Sequence, residues 1–118
     1  MKTLKLTVQS CGNGIFRLGV NTSDSLEIFK CRNKIVKLII DVQEILVKTS
    51  CGTPCLGEIP ISDKKYKKGY DLYHKDLDKW IKENHFNDFK TGKPTRLLFE
   101  LIESDEPFVL RYLEKLEL

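Results

Sequence analysis

At 118 residues the chain has the length of one domain, long enough to bury a single hydrophobic core and too short for two. Hydrophobic residues at 41% and charged residues at 31% exclude disordered and fibrous classes and describe a globular protein. The net charge of +3 hides an asymmetry: residues 100–118 carry six acids against Arg111 and Lys115, a balance of −4, which leaves +7 on residues 1–99.

From the N-terminus, Leu4, Leu6 and Val8 alternate with Lys5 and Thr7, the pattern of a half-buried strand. "SCGNG" is a turn, since Asn and Gly tolerate left-handed backbone angles. "IFRLGV" reads as a second strand with Phe16, Leu18 and Val20 on one face and Arg17 on the other. "NTSDSLEIF" predicts a short helix capped by Thr22 or Ser23. "KIVKLIID" and "EILVKTS" form a hairpin about a tight Val42–Gln43 connection.

A long loop follows, with a short strand expected from Glu58 to Ser62. "YDLY" is extended, and "HKDLDKWIKENHF" is a helix with Leu77, Trp80 and Ile81 on one face. "TRLLFELIE" and "FVLRYLEKL" close the chain as a hairpin around "SDEP". The order contains a rough repeat of strand, short helix and hairpin, at Phe16–Lys48 and again at Asp71–Leu113. Two such units predict a single domain over residues 1–118, mainly β, built as a small barrel capped by helices.

Apolar runs such as Leu38–Ile40 are far too short for a membrane-spanning helix. "MKTLKLTVQS" lacks the apolar stretch of a signal peptide, so a cytoplasmic location is expected, with no membrane partner. In that compartment Cys11, Cys31, Cys51 and Cys55 are expected as reduced, partly buried thiols. One C-x3-C pair with two isolated cysteines matches zinc knuckle spacing poorly, and no helix pattern follows "CGTPC" as a redox pair requires. His74 and His85 flank the second helix and read as structural or surface groups. "GNGIFRLG" opens no helix that could cradle a phosphate. No catalytic constellation, metal site or cofactor is expected.

A surface for a polyanion is the remaining signal. "DKKYKKGY" sets Lys64, Lys65, Lys67 and Lys68 around Tyr66, after a loop with Lys48, Ser50 and Thr53. Lysines and hydroxyls of this kind position phosphates. Arg17 and Asn13 are side-chain types suited to base edges in the major groove.

The order of segments resembles the B3 DNA-binding domain of plant transcription factors and of some restriction endonucleases. The resemblance runs from "FRLGVNTSDSLEIF" through "KIVKLIID", "EILVKTS" and "YDLYHKDLDKWIKENHF" to "PTRLLFELIESDEPFVLRYL", covering residues 4–113. It implies a seven-stranded open pseudobarrel capped by two short helices, gripping the major groove with two arms. One arm maps to Gln9–Arg17, with Gln9, Ser10, Asn13 and Arg17. The other maps to Lys48–Tyr70, with Lys48, Ser50, Thr53, Lys64, Lys65, Tyr66, Lys67 and Lys68. Asn21 and Thr22 stand where the family often has a phosphate-binding basic residue.

The expectation is a non-enzymatic module for double-stranded DNA, its oligomeric state open with a monomer favoured, of the kind that serves as the recognition domain of a restriction system. Two other readings compete. One is a small protein-interaction barrel from a phage or mobile element, with its lysines merely solvated. The other is a zinc or redox protein centred on Cys51 and Cys55.

Overall fold

In the computed structural model, which describes residues 2–51 and 69–116, the alternation around Leu4, Leu6 and Val8 becomes β1 (Lys2–Gly12). β2 (Ile15–Val20) returns antiparallel, placing Leu18 and Val20 in the core and Arg17 on the outer wall. Asn13 and Gly14 between them take φ of 55° and 72°, the two-residue turn whose twist suits a hairpin. The register skips Cys11, so the end of this hairpin carries a β-bulge.

A short helix, α1 (Thr22–Asp24), runs straight into a π-type turn (Ser25–Phe29). Its cap is Asn21, one residue before the expected Thr22 or Ser23. The Asn21 side chain accepts from the Asp24 N–H at 2.8 Å and donates to the Asp24 carboxylate at 3.0 Å. Such reciprocal bonds satisfy an N–H that the first helical turn leaves unpaired. The buried Ser25 hydroxyl donates to the Asn21 carbonyl and accepts from the Tyr70 N–H, tying this corner to a later strand.

β3 (Ile35–Ile40) and β4 (Gln43–Cys51) form the expected hairpin. Its turn is Asp41–Val42 and not Val42–Gln43, because Asp41 tolerates the left-handed φ of 54° that reverses the chain. β5 (Tyr70–Leu72) leads into α2 (Lys75–Glu83), where Leu77, Trp80 and Ile81 form the buried face. His74 caps α2, its Nδ1 accepting from the Asp76 N–H at 3.0 Å. β6 (Arg96–Glu103) and β7 (Phe108–Leu116) make the last hairpin. The strand expected at 58–62 lies outside the described residues.

These seven strands close in the order β1-β2-β5-β4-β3-β7-β6, with β6 pairing back to β1. Every pairing is antiparallel except that of β3 with β7. The barrel is thus closed, where an open one was expected. Closure gives each of the seven described strands a partner on both sides, although β5 covers only Leu18 and Gly19 of β2 and Thr49–Cys51 of β4. The internal repeat survives in element order but not in pairing, since β1 is inserted between β2 and β6.

Inward side chains from all seven strands fill the barrel, among them Leu6, Leu18, Leu38, Val47, Leu72, Phe99 and Leu110. Each large aliphatic side chain buried this way contributes about 1.5–3 kcal/mol. One end is closed by α2, with Trp80 packed edge-on to Phe86 and Tyr112. The other is closed by the α1 corner, where Phe29 meets Tyr70 and Phe108.

The cysteines depart from expectation. Cys31 is disulfide-bonded, and Cys11 is a free thiol but exposed, not partly buried. Sequence spacing carries no information on which cysteines the fold brings within bonding reach. Cys31 lies in the 30–34 loop that is laced to β4 by Asn33 N–H to Thr49 O and Thr49 N–H to Lys34 O.

Candidate nucleic-acid interface

Strand register decides which candidate residues share a wall of the barrel. Gln9 of β1 stands opposite Arg17 of β2, and both point outward because Val8 and Leu18 point in. Arg17 Nε donates to Gln9 Oε1 at 3.3 Å, and its Nη1 lies 3.2 Å from Asp71 Oδ2. On the other side of Asp71, Ser50 of β4 is its register partner and donates its hydroxyl to the Asp71 carbonyl at 3.2 Å. Three residues expected in two separate arms therefore meet at Asp71, Arg17 at its carboxylate, Gln9 through Arg17, and Ser50 at its backbone carbonyl.

Gly19 makes that meeting sterically possible. A Cβ at this position would fall 2.8 Å from Gln9 Oε1 and closer still to the rest of the amide. With only hydrogen there, the Gln9 side chain lies across β2 beside Arg17. The level of Gly19 also defines a row across five strands: Arg96, Thr7, Gly19, Asp71 and Ser50 are successive register partners.

The two expected arms leave this wall from opposite ends. β2 starts from the Asn13–Gly14 turn, while β4 ends at Cys51 beside Tyr70, past the level of Gly19. The hairpin turn with Asn13 thus lies at one end of the β1-β2-β5-β4 wall, and the 52–69 connection departs from the other. No known protein family, curated protein or solved structure matches this chain.

Individual candidates divide by their partners. Ser10 is exposed and its hydroxyl accepts from the Gly12 N–H at 3.1 Å, stiffening the hairpin end. Lys48 is exposed two residues before Ser50, on the same face of β4. Asn21 is committed to capping α1, at which Thr22 is the first residue. Thr53, Lys64, Lys65, Tyr66, Lys67 and Lys68 lie outside the described residues.

Charge follows the same division. On the β1-β2-β5-β4 wall the exposed Lys5 and Lys48 make no ion pair among the described residues, and Arg17 is balanced by Asp71. The acidic C-terminal hairpin is elsewhere, with Glu100 paired to Arg111 and Glu106 accepting from the Ile35 N–H at 2.7 Å. Near the start of β1, Lys2 bonds Glu27 and holds its carboxyl below the usual carboxylate range. Among the described residues no three His, Cys, Asp or Glu side chains converge to hold a metal, and no helix is long and apolar enough to cross a membrane.

Asp71 and Gly19 were not singled out by the sequence reading, although both leave a signal there. A lone acid in "YDLY" must find a cation if that strand is buried on both faces. A glycine inside "RLGV" marks a place where something approaches the backbone closely.

Proposed function

We propose that this chain is a double-stranded DNA-binding module of B3-like architecture that presents the outer wall of β1, β2, β5 and β4 to the major groove. The observation that carries the reading is the convergence of Gln9, Arg17 and Ser50 on one wall, with Asn13 at one end of it and the lysine-bearing connection leaving the other. Arg17 suits this role because two of its donors are engaged by Gln9 and Asp71. A side chain so held loses little further freedom when it meets a base edge. The element order, with a helix after β2 and another after β5, also agrees with the resemblance. The same resemblance supports a recognition role within a restriction system.

A salt-titrated mobility-shift assay on random 20–30 bp duplexes tests the reading. Retardation at low salt should weaken as salt rises, with log K falling by about 0.9 per neutralised phosphate in log salt. Reversing Lys64, Lys65, Lys67 and Lys68 should weaken binding to all sequences alike. Arg17→Ala or Asn13→Ala should relax preference at single base positions in selected sites. An absence of retardation at any salt sinks the proposal.

A further inference from the structure

A second basic site lies at the α2 end of the barrel, outside both expected arms. Lys93, Arg96 and Lys115 line an open cleft of about 280 Å³, with Phe89 and Thr95 in its wall. Pockets for whole small ligands run to about 300–1,000 Å³, so this one suits a single charged group better than a complete molecule. Among the described residues, none of these three cations forms an ion pair. Lys2, Arg17, Lys37, Lys79, Lys82 and Arg111 all do. One acid, Asp88, also lines the cleft, with its carboxylate 3.5 Å from His85.

The cleft is continuous with the wall described above. Arg96 opposes Thr7, which opposes Gly19 on β2, so Arg96 belongs both to the cleft and to the five-strand row. From β6 to β2 is two strand spacings, roughly 10 Å. That span is close to the ~12 Å width of the major groove. Phe89 joins the two regions, packing edge-on against Phe16, the neighbour of Arg17, with ring centroids 6.4 Å apart. A duplex with its groove over Arg17 therefore carries one sugar–phosphate strand over β1 and β6.

We infer that the Lys93–Arg96–Lys115 cleft binds a backbone phosphate of the same duplex, one groove edge away from Arg17. This rests on the proposed DNA-binding wall and adds a third contact region to it. The contact is sequence-independent, since phosphates fix register and orientation and carry no base information.

The test compares Arg96→Gln/Lys115→Gln with a charge-matched control, Lys37→Gln/Arg111→Gln, which lies on β3 and β7. Both are assayed with random-sequence duplex and with a panel of defined duplexes across a salt series, and circular dichroism with thermal melting checks that each folds. The cleft variant should lose roughly tenfold in affinity at 0.1 M salt, and its salt slope should shrink by about one to two. The control should retain the wild-type slope to within about half a unit under the same counting. Equal behaviour of the two variants overturns the cleft while leaving the wall standing. Failure of the wild-type chain to bind any duplex overturns both. A cleft variant that loses affinity for only some sequences also overturns the inference, because it assigns base readout to residues placed on the backbone.

Discussion

Arg17 of β2 and Asp71 of β5 are joined across the strand seam at 3.2 Å, with the carboxylate side chain 10% exposed and the arginine 34%. The two are offset by register, since Asp71 pairs with Gly19 and Arg17 with Gln9. The guanidinium thus reaches diagonally along the wall and donates from its Nε to the Gln9 amide oxygen. β5 contributes only three residues, yet it links β2 to β4, so this pair also secures the narrowest strand of the barrel.

Removing either partner should therefore be felt in stability. Arg17→Ala leaves the Asp71 carboxylate buried with no cation, which costs about 3–5 kcal/mol at fully buried sites and, with Arg17 here one-third exposed, comes nearer to the cost of an unsatisfied polar group, about 1–3 kcal/mol. Asp71→Ala should cost a similar amount, and the double variant should cost less than the sum by at least ~0.5 kcal/mol. Urea unfolding of the four proteins of this cycle measures the coupling. Strict additivity would show that the pair does not act as a unit.

Gly19 offers a sharper test of the same wall. The space a Cβ needs is occupied by the far end of a flexible side chain, the Gln9 amide, and not by backbone. Gly19→Ala should therefore destabilise by less than about 1 kcal/mol, but it should push Gln9 off Arg17 and weaken duplex binding. In a Gln9→Ala background the clash is gone, and the same substitution should become neutral or stabilising by about 0.4–1 kcal/mol through the unfolded chain. If Gly19→Ala costs the same in both backgrounds, Gln9 is not what requires the glycine.

Local periodicity carried the strands, their inward faces and α2, because the alternation of Leu4, Leu6 and Val8 and the i, i+3, i+4 spacing of Leu77, Trp80 and Ile81 are set by backbone geometry alone. Closure was not legible, since pairing β3 with β7 joins Val36 to Phe108 and no local pattern encodes a parallel contact at that separation. The site was half legible for the same reason. Arg17 stands out as the charged residue of an apolar strand, but its partner lies 54 positions away in a three-residue strand. Cys31 is the clearest miss: compartment reasoning favoured free thiols, whereas bonding depends on where the 30–34 loop lies.

The β3–β4 turn should respond to its two constraints separately. Asp41 holds φ at 54° and accepts from the Trp80 indole N–H at 2.9 Å, joining the hairpin to α2. Asp41→Asn keeps both features and should stay within about 1 kcal/mol of wild type. Asp41→Gly suits the backbone but orphans the indole, at a cost of about 1–3 kcal/mol. Asp41→Ala adds the left-handed strain of roughly 1–2 kcal/mol and should be the worst of the three. Equal melting of the Gly and Asn variants would show that the indole bond contributes nothing.

Alkaline pH probes the other side of that aromatic cluster. Tyr112 packs against Trp80, Phe86 and Phe99, and its hydroxyl pKa is raised above the ordinary value of 10.0, first by burial and then by the nearby Asp41 and Glu114 carboxylates. A raised pKa in the folded state means that folding favours the protonated phenol. Its contribution is fully present below about pH 10 and is lost as pH rises through the folded value. Tyr112→Phe keeps the ring and removes the titration. The stability difference between wild type and this variant should be constant from pH 7 to 9 and should then fall against wild type above pH 10. Urea midpoints across that range measure it, and the 295 nm phenolate difference between the two proteins locates the titration. A wild type that loses stability no faster than Tyr112→Phe above pH 10 would remove the phenol from the alkaline transition.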